Sequence, residues 1–366
     1  MSALAASSKS TIARINYRFS PTHCWPTPLY DVLAGYDWVL DNLFDGHARP
    51  VKLGVCGELV GGSLATTLAL TECRAGENRI VSAAVNNPIA DWVFPDDLPV
   101  LEPAQLPEPR APDDTQFPAD HDMMTWWAQQ DEKEQDEPPV KPQKKRQKRA
   151  PKPTSWVSNA DNDRIPSLTL SGERDVVFSN PHQLLDRFAS PIHFFRSSHG
   201  QLLYPHDEGY SSSSSPSEVA TDPLDSEAQM SIRHYESVDT AESPQLPVLS
   251  RCRAYARIYP DSATSISLPQ WHITSGLRSP LLDQASELTK MLKRSIARHA
   301  LRTRTARVMW QDPVEKAKYE AWAALRVRYN TVEGVGLWTL PDDSAWRAQA
   351  DHVGQWINHT LKSEFS

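Results

Sequence analysis

The chain has 366 residues, 39% hydrophobic and 23% charged, enough to bury a substantial core, and length alone suggests roughly two domains. With 30 prolines against 14 glycines, the composition points instead to one folded body interrupted by polar, proline-rich segments. A net charge of −8 from 46 acidic and 38 basic residues gives no overall field to draw the molecule to nucleic acid or an anionic membrane, and no stretch approaches the ~18 apolar residues that span a bilayer.

The opening MSALAASSKSTIAR is Ser/Ala-rich, basic and free of acids, as a transit peptide is. The preferred reading is plainer, because Ile12 to Tyr17 runs straight into what reads as a core strand near Thr11–Tyr17. An amphipathic helix follows from about Pro28 to Phe44, then a strand at Val51–Cys56, a helix from about Gly61 through SLATTLALTEC, and a strand at Ile80–Val85 that is apolar on both faces. Strand and helix alternate, the pattern of a parallel α/β sheet.

From about Pro99 to Pro153 the pattern dissolves into proline-rich sequence with an acidic run at 131–137 and a basic run at 141–149, a linker by composition. Within it Met123, Met124, Trp126 and Trp127 form an apolar island, read as a short helix docking on the sheet. A short ordered piece is expected at Val176–Arg196, then a second low-complexity stretch from roughly His206 to Pro247, with the serine tract Ser211–Ser215. Order returns with a strand near Trp271–Thr274 and a helix from Asp283 with Leu288, Leu292 and Ile296 on one face. A strand near Ala324–Tyr329 and a last helix carrying Trp346, Val353, Trp356 and Ile357 complete the chain.

Cys24, Cys56, Cys73 and Cys252 lack metal-ligand or disulfide spacing, so neither a zinc site nor a disulfide framework is expected. No cofactor is expected either. Cys56, inside an apolar strand, reads as a small buried hydrophobe.

Four blocks together resemble a known family. Asn16-Tyr17-Arg18-Phe19-Ser20-Pro21, followed by Trp25-Pro26 and Leu29-Tyr30-Asp31-Val32, resembles the NYRLAPEHPFPAALEDV block of hormone-sensitive-lipase-like α/β-hydrolases. Gly57-Glu58-Leu59-Val60-Gly61-Gly62-Ser63 resembles that family's GDSAGGN nucleophile elbow. Gly276 to Asp283 resembles its GxxDPLxD segment, and Glu333 to Trp338 the loop that carries its histidine. The resemblance covers about 11–100 and 250–362. It implies a partial α/β-hydrolase fold, mostly parallel sheet with flanking helices and two disordered insertions. The expected division is 1–98 and 250–366 as two parts of the hydrolase core, 99–165 and 205–249 as insertions, and 166–204 as a cap-like ordered segment.

The same resemblance marks what the site lacks. Hydrolysis needs an oxygen nucleophile on a strained turn, a base, an orienting carboxylate and N–H donors for the oxyanion. The nucleophile position holds Leu59; Ser279 stands at the acid position, with Asp283 read as a helix cap; Leu337 or Gly336 stands where the histidine belongs. Gly57, Gly61 and Gly62 keep the turn, and Glu58 beside them reads as a charge suited to the helix dipole. Nothing in MSALAASSKSTIARI resembles the HGGG oxyanion loop, so a truncated member or an exposed sheet edge is expected.

Ser63, one helical turn after Leu59, is a candidate for a displaced nucleophile, as Glu58 is for a carboxylate one; a hydroxyl at 63 can also bond back to a preceding carbonyl. His352 and His359 read as surface or interface positions, and the cluster Lys290, Lys293, Arg294, Arg298, Arg302 and Arg304 as a solvent face. The sequence therefore reads as a non-catalytic esterase relative acting in binding or scaffolding, with a small acyl-ester-like ligand or a protein as partner, no nucleic acid, and a cytoplasmic location. A second reading is an active serine carboxylester hydrolase using Ser63. A third is a nuclear interaction protein directed by Lys141–Arg149.

Overall fold

A computed structural model describes residues 2–44, 51–74, 79–99, 101, 105–109, 153–204, 247–261, 264–302, 313–339 and 344–363. In chain order the elements used below are α1 (Ser2–Ser8), α2 (Thr27–Leu43), β1 (Lys52–Glu58), α3 (Val60–Thr71), β2 (Arg79–Asn86), α4 (Ser155–Ser158), α5 (Ser167–Val177), β3 (Gly200–Leu203), β4 (Val248–Arg251), β5 (Gln270–Gly276), α6 (Leu282–Arg302), α7 (Pro313–Arg326), β6 (Val327–Val332) and α8 (Ser344–Lys362).

Four strands form a parallel sheet in the order β1-β2-β5-β6. The two central strands, β2 and β5, are buried almost throughout, whereas β1 and, beyond its buried first residue Val327, β6 hold only exposed and half-buried residues as edge strands do. Alternation of side chains sends Ala83, Val85, Trp271 and Ile273 into the main core with α3 and α6, and Ala84 toward Val353, Trp356 and Ile357 of α8. Helices thus cover both faces of the sheet. The pair β3 and β4 makes a separate antiparallel ribbon.

Helix α3 is buried at nine consecutive positions, Gly62 to Leu70, so its hydroxyls must be satisfied within the protein. Thr66 donates to the Gly62 carbonyl, while Ser63 and Thr67 donate to the carbonyls of Ala189 and Phe188. Those last two bonds fix the segment at 181–196 over the helix. Its far end is tied by charge: Arg196, 2% exposed, donates from Nη2 to Asp91 (2.9 Å) and from Nε to Glu287 (2.7 Å). Burial opposes the charge on Asp91, but His193 and Arg196 beside it hold its carboxyl well below the usual range.

Several expectations need correction. Residues 11–17 form no strand; they belong to an extended strap with no ladder partner, running from α1, which packs on α8, to α2, which packs on α3. The strap passes beside the outer edge of β1, and Ile12, Ile15 and Tyr17 enclose with Leu53 and Val55 a cavity of about 310 Å³. The edge is therefore partly covered. Ala324 to Arg326 are helical, the end of α7, because the run Ala321-Trp322-Ala323-Ala324-Leu325 favours helix; β6 starts at Val327. Cys56 is exposed because β1 lies at the sheet edge, and all four cysteines are free thiols.

Residues 153–165, assigned by composition to an insertion, contain α4, whose Trp156 is 2% exposed and stacks on Phe94. Likewise β4 begins at Val248, inside the stretch expected to be an insertion. Trp126, Trp127, the acidic run, the basic run Lys141–Arg149 and the serine tract lie outside the described residues. No helix among the described residues is long and apolar enough to cross a membrane.

On the α8 face, His272 is 2% exposed, with its ring against His352 and Trp356 and its Nε2 facing the Asn330 amide at 3.2 Å. Burial, with His352 and Arg328 nearby, lowers its pKa to about 4. The unfolded chain takes up this proton near pH 6.5 and the folded chain only near 4, so stability is fully present above 6.5 and falls across that window. The loss amounts to at most about 3 kcal/mol, at roughly 1.4 kcal/mol per pKa unit. In urea unfolding, His272→Gln is expected to flatten stability between pH 6.5 and 4 relative to the wild type; an unchanged slope would show that His272 is not the group responsible.

Candidate functional site

The carboxyl end of a parallel sheet leaves strand carbonyls and turn amides that must find partners. At β2 the chain supplies two of them as side chains, Asn86 and Asn87, both fully buried. Asn86 Nδ2 donates to the Gly336 carbonyl at 2.7 Å, and Asn87 Nδ2 to the Val335 carbonyl at 3.0 Å. Asn87 Oδ1 accepts from the Ser275 hydroxyl (2.9 Å) and the Gly276 N–H (3.3 Å). Asn87 makes these bonds from a left-handed backbone, φ 43°, a region that asparagine tolerates better than most residues. The loop 333–336 is thereby drawn down so closely that any Cβ at Gly276 would collide with the Val335 carbonyl.

The turn from β1 to α3 is sharp. Leu59 has φ 52° and ψ −118°, a conformation that costs a non-glycine residue about 1–3 kcal/mol and persists only where its surroundings impose it. Gly57 is required because a Cβ there would run into the Gly61 carbonyl, and a Cβ at Gly62 would crowd the Pro88 α-carbon at 3.2 Å. A strained strand-to-helix turn of this kind is the geometry that presents a nucleophile in serine hydrolases.

What the turn presents here is apolar. Leu59, half-buried, packs with Ile165, Val335 and Leu337, all three buried. The positions assigned by resemblance to nucleophile and histidine are therefore brought into one cluster as two leucines. Ser279, at the expected acid position, is fully buried and accepts the Leu281 N–H at its hydroxyl (3.2 Å), capping the turn into α6. Asp283 Oδ2 accepts the Ser155 N–H at 2.6 Å and so joins α4 to α6. His352 sits exposed on α8 against His272, away from this cluster.

Glu58 differs from its expected role as a helix-dipole charge. Its carboxylate accepts the Trp338 N–H, the Thr339 hydroxyl (2.6 Å) and the Asn86 amide (3.2 Å), so it ties the turn to the loop. Burial raises its pKa, and the Thr339 and Trp338 donors lower it in part. Sequence reasoning missed both this tie and the asparagine pair; the available signal was two amides ending the otherwise apolar run of β2. Among the described residues no group of three or more His, Cys, Asp or Glu is assembled that could hold a metal ion.

Residues 1–173 match the family described as alpha/beta hydrolase fold. A 66-residue stretch is 33% identical to the versiconal hemiacetal acetate esterase of Dothistroma septosporum, which is 18% of this chain and 20% of that protein. Similar solved structures include an esterase of Pyrobaculum calidifontis (TM-score 0.48, 14% identity, 99% of this chain and 70% of that one). Another is carboxyl esterase 2 of Tuber melanosporum (TM-score 0.48, 10% identity, 98% and 69%).

If Glu58 anchors the loop, Glu58→Ala releases the Trp338 and Thr339 donors. Hydrogen exchange at the Trp338 amide is expected to accelerate by about ten- to a hundredfold, the equivalent of roughly 1.5–3 kcal/mol for a hydrogen bond to a charged group. Unchanged protection at Trp338 would remove the anchoring role.

Proposed function

This chain has an α/β-hydrolase fold related to esterases, and from that premise we propose that it does not turn over esters and acts as a binding or scaffolding protein. The observation that carries the reading is that Leu59, on the strained turn, packs against the apolar cluster that contains Leu337. An acyl intermediate needs a lone pair on the turn and a base to take its proton. Two leucines supply neither. Losing such a set as a unit costs on the order of 10⁶ in turnover.

Ser63 is poorly suited to replace the missing nucleophile. It is 3% exposed, within α3, and its hydroxyl donates to the Ala189 carbonyl at 3.1 Å. To attack a substrate it would have to leave that bond and emerge from between α3 and the segment above it. The class of ligand that suits the reading is that of the relatives, a small acyl ester or its acid or alcohol part, bound without cleavage.

Treatment with a fluorophosphonate probe, run beside a short-chain ester assay on protein shown to be folded by circular dichroism, tests this directly. Neither labelling nor turnover above the uncatalysed rate is expected, for the wild type or for Leu59→Ser, which restores an oxygen without a base. Labelling that disappears in Ser63→Ala would establish a displaced nucleophile and overturn the reading.

A further inference from the structure

The cavity of about 310 Å³ beneath the strap lies at the small end of the ligand-pocket range of about 300–1,000 Å³. Four consecutive residues of β1, Leu53 to Cys56, line it, so it follows the sheet edge and meets both faces of the strand. The rest of its wall is largely apolar, with Ile15 from the strap, Val32 from α2, Leu64 and Leu68 from α3 and Ile357 from α8. No member of the Leu59 cluster lines it. Such a wall offers water few hydrogen-bond partners, and an apolar body displaces water from it favourably.

The charge on the lining has one sign. Arg14 is the only charged side chain there among the described residues; no Asp or Glu shares the wall. Arg14 is exposed, so a ligand can reach its guanidinium. It makes no ion pair or hydrogen bond with a described residue, and a guanidinium keeps its proton at any ordinary pH. An apolar space thus borders one accessible cation.

We propose that this cavity binds a medium-chain aliphatic monocarboxylate, its chain lying along β1 beneath the strap and its carboxylate at the Arg14 guanidinium. The chain supplies most of the affinity, because each buried methylene adds to it. The exposed charge pair adds less but sets the sign: an anionic end is attracted and a cationic end repelled. The site is separate from the turn at Leu59, and its occupation does not depend on whether the protein cleaves esters.

Titration calorimetry of the full chain at pH 7 with octanoate, decanoate and decylammonium tests the proposal. Decanoate is expected to bind about tenfold more tightly than octanoate, through two further buried methylenes, and at least about threefold more tightly than decylammonium. Arg14→Glu, a change at an exposed position, is expected to invert the order of decanoate and decylammonium. Bound decanoate is also expected to slow maleimide alkylation of Cys56, which lines the cavity, and not of Cys24, which does not; peptide mass spectrometry reads the two sites separately. No saturable binding of decanoate, equal or tighter binding of decylammonium by the wild type, an unchanged order in a folded Arg14→Glu protein, or an unprotected Cys56 would each overturn it. The wild-type comparisons decide the question even if the variant does not fold.

Discussion

The carboxyl end of the sheet is closed by two buried side-chain amides, and the geometry around them follows from that closure. Asn86 and Asn87 reach the Gly336 and Val335 carbonyls, and Asn87 also receives the Ser275 hydroxyl and the Gly276 N–H. The ends of β2 and β5 and the loop after β6 are thus joined through one residue pair. Glu58 extends the tie to β1 through Trp338, Thr339 and Asn86 itself. A buried polar network of this kind is favourable only when its members are satisfied, and here the loop has little freedom to lift away.

With the loop held down, what faces the strained turn is decided by which side chains stand at Leu59, Val335 and Leu337. Polar catalytic groups in that position would each need a partner or a water path. Aliphatic side chains need only contact, and Ile165 from the segment before α5 completes the cluster. The turn itself remains strained, with Leu59 at φ 52°, because Gly57 and Gly62 permit the close approach that produces it. The shape of a nucleophile elbow is retained with an apolar residue at its tip.

Much of this was legible where local chemistry and tertiary role agree. Residues 80–85 are largely apolar on both faces because both sides of their strand are covered, and the apolar spacing of Leu288, Leu292 and Ile296 reports the buried face of α6. The turn was legible through its glycines, whose spacing reflects a steric demand. The sequence at 11–17 misled because Ile12, Ile15 and Tyr17 half-bury their side chains as a strap without a strand partner, and side-chain burial alone does not specify a ladder. Cys56 misled for the converse reason: an apolar strand can lie at an edge. The Asp91, Arg196 and Glu287 cluster left no local signal at all, since its members lie far apart in sequence and meet only in the folded chain. Composition understated order at Trp156, an isolated aromatic in polar sequence that is nonetheless buried against Phe94.

The central claim is that the turn and the loop meet as one apolar cluster where a hydrolase would hold its reacting groups. A double-mutant cycle in urea unfolding with Leu59→Ala, Leu337→Ala and the pair measures that contact directly. Residues in contact give coupling energies of about 0.5–3 kcal/mol, and a value in that range is expected. A coupling indistinguishable from zero would mean that the two leucines do not share a cluster in solution, and the apolar closure of the site would be contradicted.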